Sequence, residues 1–299
     1  MLKVDKADLS SKTFVSTGKF YHQDILDTVS KFIQAGHTRL EISCGQVQPS
    51  DIAKLKKLHK IGIQFRLHNY FPVFGDHFVL NLSSANHQLR ERSRQHVFTA
   101  INWSSELESR FFAVHAGFRL SPRADELGKV INSGKLTPLS DAKNIFLDEL
   151  NIISNYAEKY GVTLLVENNV YSRNNYQHFK NDNPFLFCGD QQSMLSFPDS
   201  VGLLIDLAHL KVSGNTLGFE LSETLKSLSP QTMGYHYSDN NGTSDTNDHI
   251  RDDSYLLKLQ LKSVEYHTVE VYDEDLESLH SDVKQLQKCS FTPNEFIED

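Results

Sequence analysis

Short apolar runs alternate with longer amphipathic stretches along the whole chain. The runs are Thr13–Val15, Arg39–Ile42, Ile63–Leu67, Phe111–Val114, Val162–Val166, Val201–Ile205, Thr232–Tyr235 and Tyr266–Val269. Several are apolar at consecutive positions, as parallel strands covered on both faces are. Between them, Gln23–Ala35 places Ile25, Leu26, Val29, Phe32 and Ile33 on one stripe. Asp51–His59 does the same with Ile52, Leu55 and Leu58 behind a Ser50 or Asp51 cap. Asp141–Tyr160, behind a Ser140 cap, carries Ile145, Phe146, Leu150, Ile153 and Tyr156. Glu274–Leu286 carries Leu276, Leu279, Val283 and Leu286. These stripes repeat at helical spacing and predict core-facing helices. Gly36, Gly62 and Gly161 fall just after three of the helices and just before strands, where a C′ glycine belongs.

Eight strand–helix units in 299 residues predict an α/β fold, a single-domain (β/α)8 TIM barrel spanning residues 1–299. An open doubly wound sheet shares the alternation, but no glycine-rich phosphate loop follows the first run. Two insertions, Gly117–Leu139 and Tyr171–Pro198, follow strand ends, where the active-site loops of a barrel lie. No linker, repeat or low-complexity segment interrupts the pattern.

The residues that close the runs carry the chemistry. The third to eighth runs end at His68, His115, Glu167, Asp206, His236 and Glu270, in that order. With 38 acidic residues and 14 histidines in the chain, about one position in six carries such a side chain. Six consecutive strand ends are therefore not expected by chance, even with boundaries uncertain by a couple of residues. In a barrel these ends converge on one mouth, where carboxylates and imidazoles without a cation would repel or desolvate badly. A divalent metal resolves the conflict, and a mixed His and carboxylate set suits zinc, manganese, iron or cobalt better than calcium. Asp206-Leu207-Ala208-His209 adds a histidine one turn beyond a strand end. The polar loop Ser238–His249 supplies His249 as a further candidate or covers the mouth.

Composition narrows the classes of function. Apolar residues at 39% and charged residues at 23% describe an ordinary globular chain. The net charge of -8 implies no large basic field, so no nucleic-acid partner is expected. Cys44, Cys188 and Cys289 stand far apart with no C-x-x-C pair, which signals free thiols rather than a zinc knuckle or disulfide framework. The first eight residues lack the apolar core of a secretory signal, and no apolar run is long enough to span a bilayer. A cytoplasmic protein without a membrane partner is expected.

The ordered set His68, His115, Glu167, Asp206-x-x-His209, His236 and Glu270 resembles the xylose isomerase-like barrel superfamily, from about Thr13 to Leu286. That group includes sugar and sugar-phosphate isomerases and epimerases, inosose dehydratases and type IV apurinic endonucleases. The resemblance implies that Glu167, Asp206, His236 and Glu270 bind one divalent metal (Mn, Zn, Co or Fe), as in the keto-sugar epimerases. It also implies that Glu167 and Glu270 move the protons. His68, His115, His209 and His249 match extra positions of the three-zinc endonucleases and are expected to bind substrate or additional metal. The endonucleases carry an Asp two residues before the last of these histidines. This chain has Asn247 there, with Asp245 and Asp248 out of step.

Read this way, the chain is expected to be a metal-dependent isomerase or epimerase acting on a small carbohydrate through proton abstraction and an enediolate. Alternatives are an apurinic endonuclease-like phosphodiesterase with two or three zinc ions, a dehydratase, and a non-catalytic binding barrel. Tyr70, Phe71 and Trp103 are candidates for pocket walls, though each also fits the core. Arg119, Arg123, Arg173, Lys211 and Arg251 follow strands, but spacing selects none of them for phosphate.

Overall fold

The computed structural model describes residues 9, 11–72, 74, 78–123, 126, 129–131, 134–180, 182–190 and 196–292. Eight strands close into a parallel barrel. They are β1 (Thr13–Ser16), β2 (Arg39–Ile42), β3 (Gln64–His68), β4 (Phe111–His115), β5 (Thr163–Glu167), β6 (Val201–Asp206), β7 (Thr232–Tyr237) and β9 (Tyr266–Val269). β1 pairs with both β2 and β9, which completes the ring and excludes an open sheet. β8 (Gln260–Lys262) and β10 (Ser290–Thr292) form a separate two-stranded parallel sheet. Each predicted run is a barrel strand, with ends moved by no more than two residues.

Helices α1 (Ile25–Gln34), α2 (Asp51–Lys60), α3 (His87–Glu106) and α4 (Leu139–Lys159) connect the first five strands. α5 (Arg173–Phe179) follows β5, α6 (Leu207–Leu217) and α7 (Leu221–Leu228) follow β6, and α8 (Leu279–Leu286) follows β9. Between β7 and β9 the described chain has a 3-10 turn, Tyr255–Lys258, and β8, so the seventh unit lacks the expected α-helix. Gly36, Gly62 and Gly161 do take positive φ after their helices, at 87°, 105° and 68°.

Two local expectations are corrected, Ser140 as a cap and residues 274–278 as helix, while Ser50 holds the N-cap position of α2 as expected. Ser140 is inside α4, whose N-cap position is Pro138 with no side-chain cap. Ser50 caps α2 without a side-chain bond, and Asp51 turns back to accept from the Gln48 N–H at 2.9 Å. Residues 274–278 do not join α8. Asp273 accepts from the Asp275 N–H at 3.0 Å and Asp275 from the Glu277 N–H at 3.1 Å, so acidic side chains claim the donors a helix would need.

The main core lies between strands and helices, with Leu40, Ile42, Val114, Leu164, Val166, Leu203 and Ile205 from the strands against Ile25, Val29, Phe32, Leu55, Ile101, Phe146 and Ile153. Phe14, Phe111, Ala113, Leu165, Leu204 and Tyr266 form a second cluster of strand residues. The two insertions meet in a third, where Phe118, Leu120 and Ile131 pack with Tyr171, Phe185 and Cys188. Arg119 is buried and ties the insertions together, donating to Thr137 O at 2.9 Å and Asn183 O at 2.8 Å and pairing with Asp182. The three cysteines are free. No helix among the described residues is long and apolar enough to cross a membrane.

Candidate metal centre

Side chains along a strand alternate between its two faces. Ala113, Leu165 and Leu204 share one strand-residue cluster, and the residues two places on, His115, Glu167 and Asp206, therefore share their face. His68 and His236 join them from β3 and β7, and Glu270 directly follows β9. Parallel strands bring all these C-terminal ends to one mouth.

Glu167 stands in the middle and is fully buried. Its Oε2 lies 3.0 Å from His68 Nε2 and 3.2 Å from His115 Nδ1. Its Oε1 lies 3.4 Å from His236 Nδ1 and 3.9 Å from His209 Nδ1. Asp206 divides its carboxylate between two tasks. Oδ1 caps α6 by accepting from the His209 N–H at 2.7 Å, and Oδ2 faces His236 Nδ1 at 3.9 Å. Glu270 divides its own as well: Oε2 meets His236 Nδ1 at 2.7 Å, and Oε1 accepts from the Tyr272 hydroxyl at 3.0 Å. The Tyr272 ring lies against Gly18, where a Cβ would come within 2.4 Å of the phenol oxygen.

Ligand atoms of Glu167, Asp206, His236 and Glu270 all lie within 4.8 Å of one another, as do those of His68, His115 and Glu167. Glu167 Oε1 and Oε2, Asp206 Oδ2 and His68 Nδ1 are buried without hydrogen-bond partners. A divalent cation is what such orphaned carboxylate and imidazole atoms fit. The protonation pattern shows the same tension. Burial would raise Glu167, but His115, His68 and His236 hold it well below the carboxylate range. Burial pushes Asp206 up to about 7, opposed by His209 and reinforced by Asp245, Glu167 and Glu270. Burial pushes His115 down to about 4. It acts the same way on His209 and His236, but nearby carboxylates raise both well above the usual value.

The remaining predicted residues divide. His209 sits beside the group, its Nδ1 2.9 Å from Asn168 O and its Nε2 3.1 Å from Asp245 Oδ2. Asp245, out of step by sequence spacing, is thus the loop acid that reaches a site histidine. Asn247, at positive φ, instead donates to Glu270 O at 2.9 Å. His249 joins neither group: its Nδ1 lies 2.7 Å from Asp282 and its Nε2 2.8 Å from Asp273. Tyr70 lines a cleft of about 220 Å³ that reaches His115, His209 and Asp245. Phe71 and Trp103 are buried and stack edge-on at 5.7 Å. Lys211 pairs with Asp239 at 2.8 Å.

Three contributors escaped the sequence reading. Glu41 of β2 places Oε1 2.8 Å from His236 Nε2 while Oε2 accepts from Thr268 Oγ1 at 2.8 Å. Asn168 braces Asp206 through its backbone. Tyr272 holds Glu270. Glu41 had a visible signal, an acid inside a short strand run.

A closed parallel barrel with a buried imidazole and carboxylate set at its strand ends defines the architectural class. A family model described as the xylose isomerase-like TIM barrel matches residues 45–274, and the chain belongs to that family. No significant sequence match occurs among curated proteins. Among solved structures, a D-tagatose 3-epimerase-like protein is 18% identical, with 92% of this chain and 96% of that one covered and a TM-score of 0.62. The apo form of a 3-keto-D-glucoside 4-epimerase from E. coli is 13% identical over 93% and 98%, with a TM-score of 0.59. A family 2 AP endonuclease from Brucella melitensis is 12% identical over 92% and 97%, with a TM-score of 0.58. At such identities the likeness is one of fold.

Proposed function

We propose that the chain is a divalent-metal-dependent isomerase or epimerase of a sugar or sugar phosphate. One observation carries this reading: two glutamates of the same ligand group differ in their surroundings. Glu167 is fully buried among imidazoles, whereas Glu270 retains 7% exposure and sends Oε1 to the partly exposed Tyr272. Glu167, Asp206, His236 and Glu270 would hold Mn, Zn, Co or Fe. Bound there, the ion supplies a Lewis acid that polarises a carbonyl and balances the three carboxylates.

The chain's own groups do the rest. Glu270 Oε1, on the Tyr272 side, is the base that removes a proton beside the substrate carbonyl, which leaves an enediolate. Glu167 returns a proton relayed to it from His68, whose Nε2 lies 3.0 Å from its Oε2, and Glu270 then releases the proton it took to solvent, which restores both carboxylates. His68, His115 and His209 hydrogen-bond substrate hydroxyls. The adjoining cleft, with Tyr70, Asn174 and Ser244 among its lining residues, takes the remainder of a small carbohydrate. Epimerases and an isomerase-like protein among the structures of similar fold support the substrate class.

A second reading, phosphodiester hydrolysis with two or three zinc ions, draws on the presence of Glu167 in two ligand groups. The net charge of -8 and a His209–Asp245 pair that His249 does not join weigh against it. The test is incubation of metal-loaded protein with ketoses and ketose phosphates in deuterated water, beside an abasic-DNA cleavage assay. Metal-dependent deuterium incorporation into a sugar is expected. Metal-dependent strand cleavage with no exchange into any sugar would replace the first reading with the second.

A further inference from the structure

We infer that Glu41 is a positioning residue for His236: it retains the proton on Nε2 and so reserves Nδ1 for the metal. The inference rests on the reading of Glu167, Asp206, His236 and Glu270 as a metal set. His236 is fully buried between two carboxylates, with Glu41 Oε1 2.8 Å from Nε2 and Glu270 Oε2 2.7 Å from Nδ1. Only the Nδ1 contact is an in-line hydrogen bond, and Nε2 and Glu41 Oε1 have no such partner. The ring thus offers both nitrogens to carboxylates but directs one bond well.

The two nitrogens face different surroundings. Around Nδ1 stand Glu270, Glu167 Oε1 at 3.4 Å and Asp206 Oδ2 at 3.9 Å, the other three members of the ligand group. Around Nε2 stands Glu41, 2% exposed and anchored by Thr268 Oγ1 on its other oxygen. When a divalent ion replaces the Nδ1 proton, Nε2–H is the ring's remaining donor and Glu41 the carboxylate in contact with it. A metal-bound histidine needs such a partner, because an acceptor on the far nitrogen fixes both tautomer and ring orientation.

Glu41, His68 and His236 also bring ligand atoms within 4.8 Å of one another, so a direct ligand role is the competing geometry. Arg66 argues against a cation there. Its guanidinium is held over Tyr266 at 3.7 Å, Phe14 at 4.7 Å and Phe111 at 5.2 Å. From that cage it interacts electrostatically with Glu41. A positive neighbour favours a proton bridge from Glu41 to His236 over a second ion.

Zinc titration of the full chain tests this. Glu41→Ala should weaken zinc binding by about 10–100-fold with the number of bound ions unchanged. Glu41→Gln, whose amide oxygen still accepts from Nε2–H, should lose less than about tenfold. In zinc-loaded wild type labelled with ¹⁵N-histidine, His236 should carry its proton on Nε2, a readout that does not depend on a variant folding. Unchanged affinity in Glu41→Ala, loss of one bound ion in Glu41→Gln, or an unprotonated Nε2 would each overturn the inference. Absence of zinc binding by the wild type would overturn the metal reading itself, and this inference with it.

Discussion

Asn168 and Asp206 hold each other across adjacent strand ends. The Asp206 N–H donates to Asn168 Oδ1 at 2.8 Å, and Asn168 Nδ2 donates to Asp206 O at 3.0 Å. Both residues are fully buried. The amide fixes the backbone from which the Asp206 carboxylate caps α6 with Oδ1 and presents Oδ2 to the site. Asn168→Ala leaves a buried N–H and a buried carbonyl without these partners, at a cost of about 1–3 kcal/mol. Chemical denaturation of the metal-free protein should show that loss, and metal affinity should fall at least about tenfold. A stability unchanged by the substitution would remove Asn168 from this role.

Glu270→Gln should damage turnover more than substrate binding. The amide still offers an oxygen, but it cannot accept and return a proton at neutral pH. With the ion bound, kcat should fall by about 10²–10⁴-fold with KM little changed, the pattern of an interaction needed in the transition state. Steady-state kinetics on metal-loaded protein decide this, and near-normal kcat would take Glu270 out of proton transfer.

Metal affinity should rise with pH. Burial, with Asp245, Glu167 and Glu270 nearby, pushes Asp206 up to about 7, so below that pH its carboxyl is largely protonated and a poor ligand. His236 is raised well above the usual value, burial being overcome by Glu41 and Glu270, and it too must lose a proton to bind. Each proton released makes binding tighter as pH increases through these values. Competition titrations from about pH 6 to pH 8.5 should show this, with uptake of the released protons by buffer. Affinity independent of pH would contradict the assignment of these two groups.

His249 should contribute to stability in a pH-dependent way without serving the site. Burial alone would lower it, but hydrogen bonds to Asp282 and Asp273 raise it above the ordinary histidine value. A raised histidine contributes fully below its unfolded pKa and loses that contribution as pH rises through the folded value. The Tm gap between wild type and His249→Gln should therefore be largest near about pH 6 and narrow towards about pH 9. Metal stoichiometry should be unchanged. A lost metal ion in this variant would return His249 to the ligand set.

The strand ends were legible because the barrel places one requirement on each: the last inward-facing residue meets the mouth. His68, His115, Glu167, Asp206, His236 and Glu270 therefore stood out wherever an apolar run stopped. Glu41 did not, because Ile42 follows it and closes the run with an apolar side chain. α3 was missed for a related reason. Its buried face includes Ser93, His96 and Ser104, and Arg90, Glu91, Arg92 and Arg94 crowd its first turns, so no continuous apolar stripe marks it. In the loop after β7, the resemblance to the endonucleases pointed to position 247 for an acid, yet Asp245 meets His209. His249 turns to Asp273 and Asp282, two acids beyond β9 that no local pattern connects with it.

Glu167, Asp206, His236 and Glu270 are proposed to bind one divalent ion between them. Anomalous diffraction from crystals soaked in manganese or zinc tests it most directly. A peak with one atom from each of the four side chains about 2.0–2.3 Å away is expected. A fully occupied ion elsewhere with these four side chains uninvolved, or no peak within about 6 Å of their common centre at saturating metal, would contradict it.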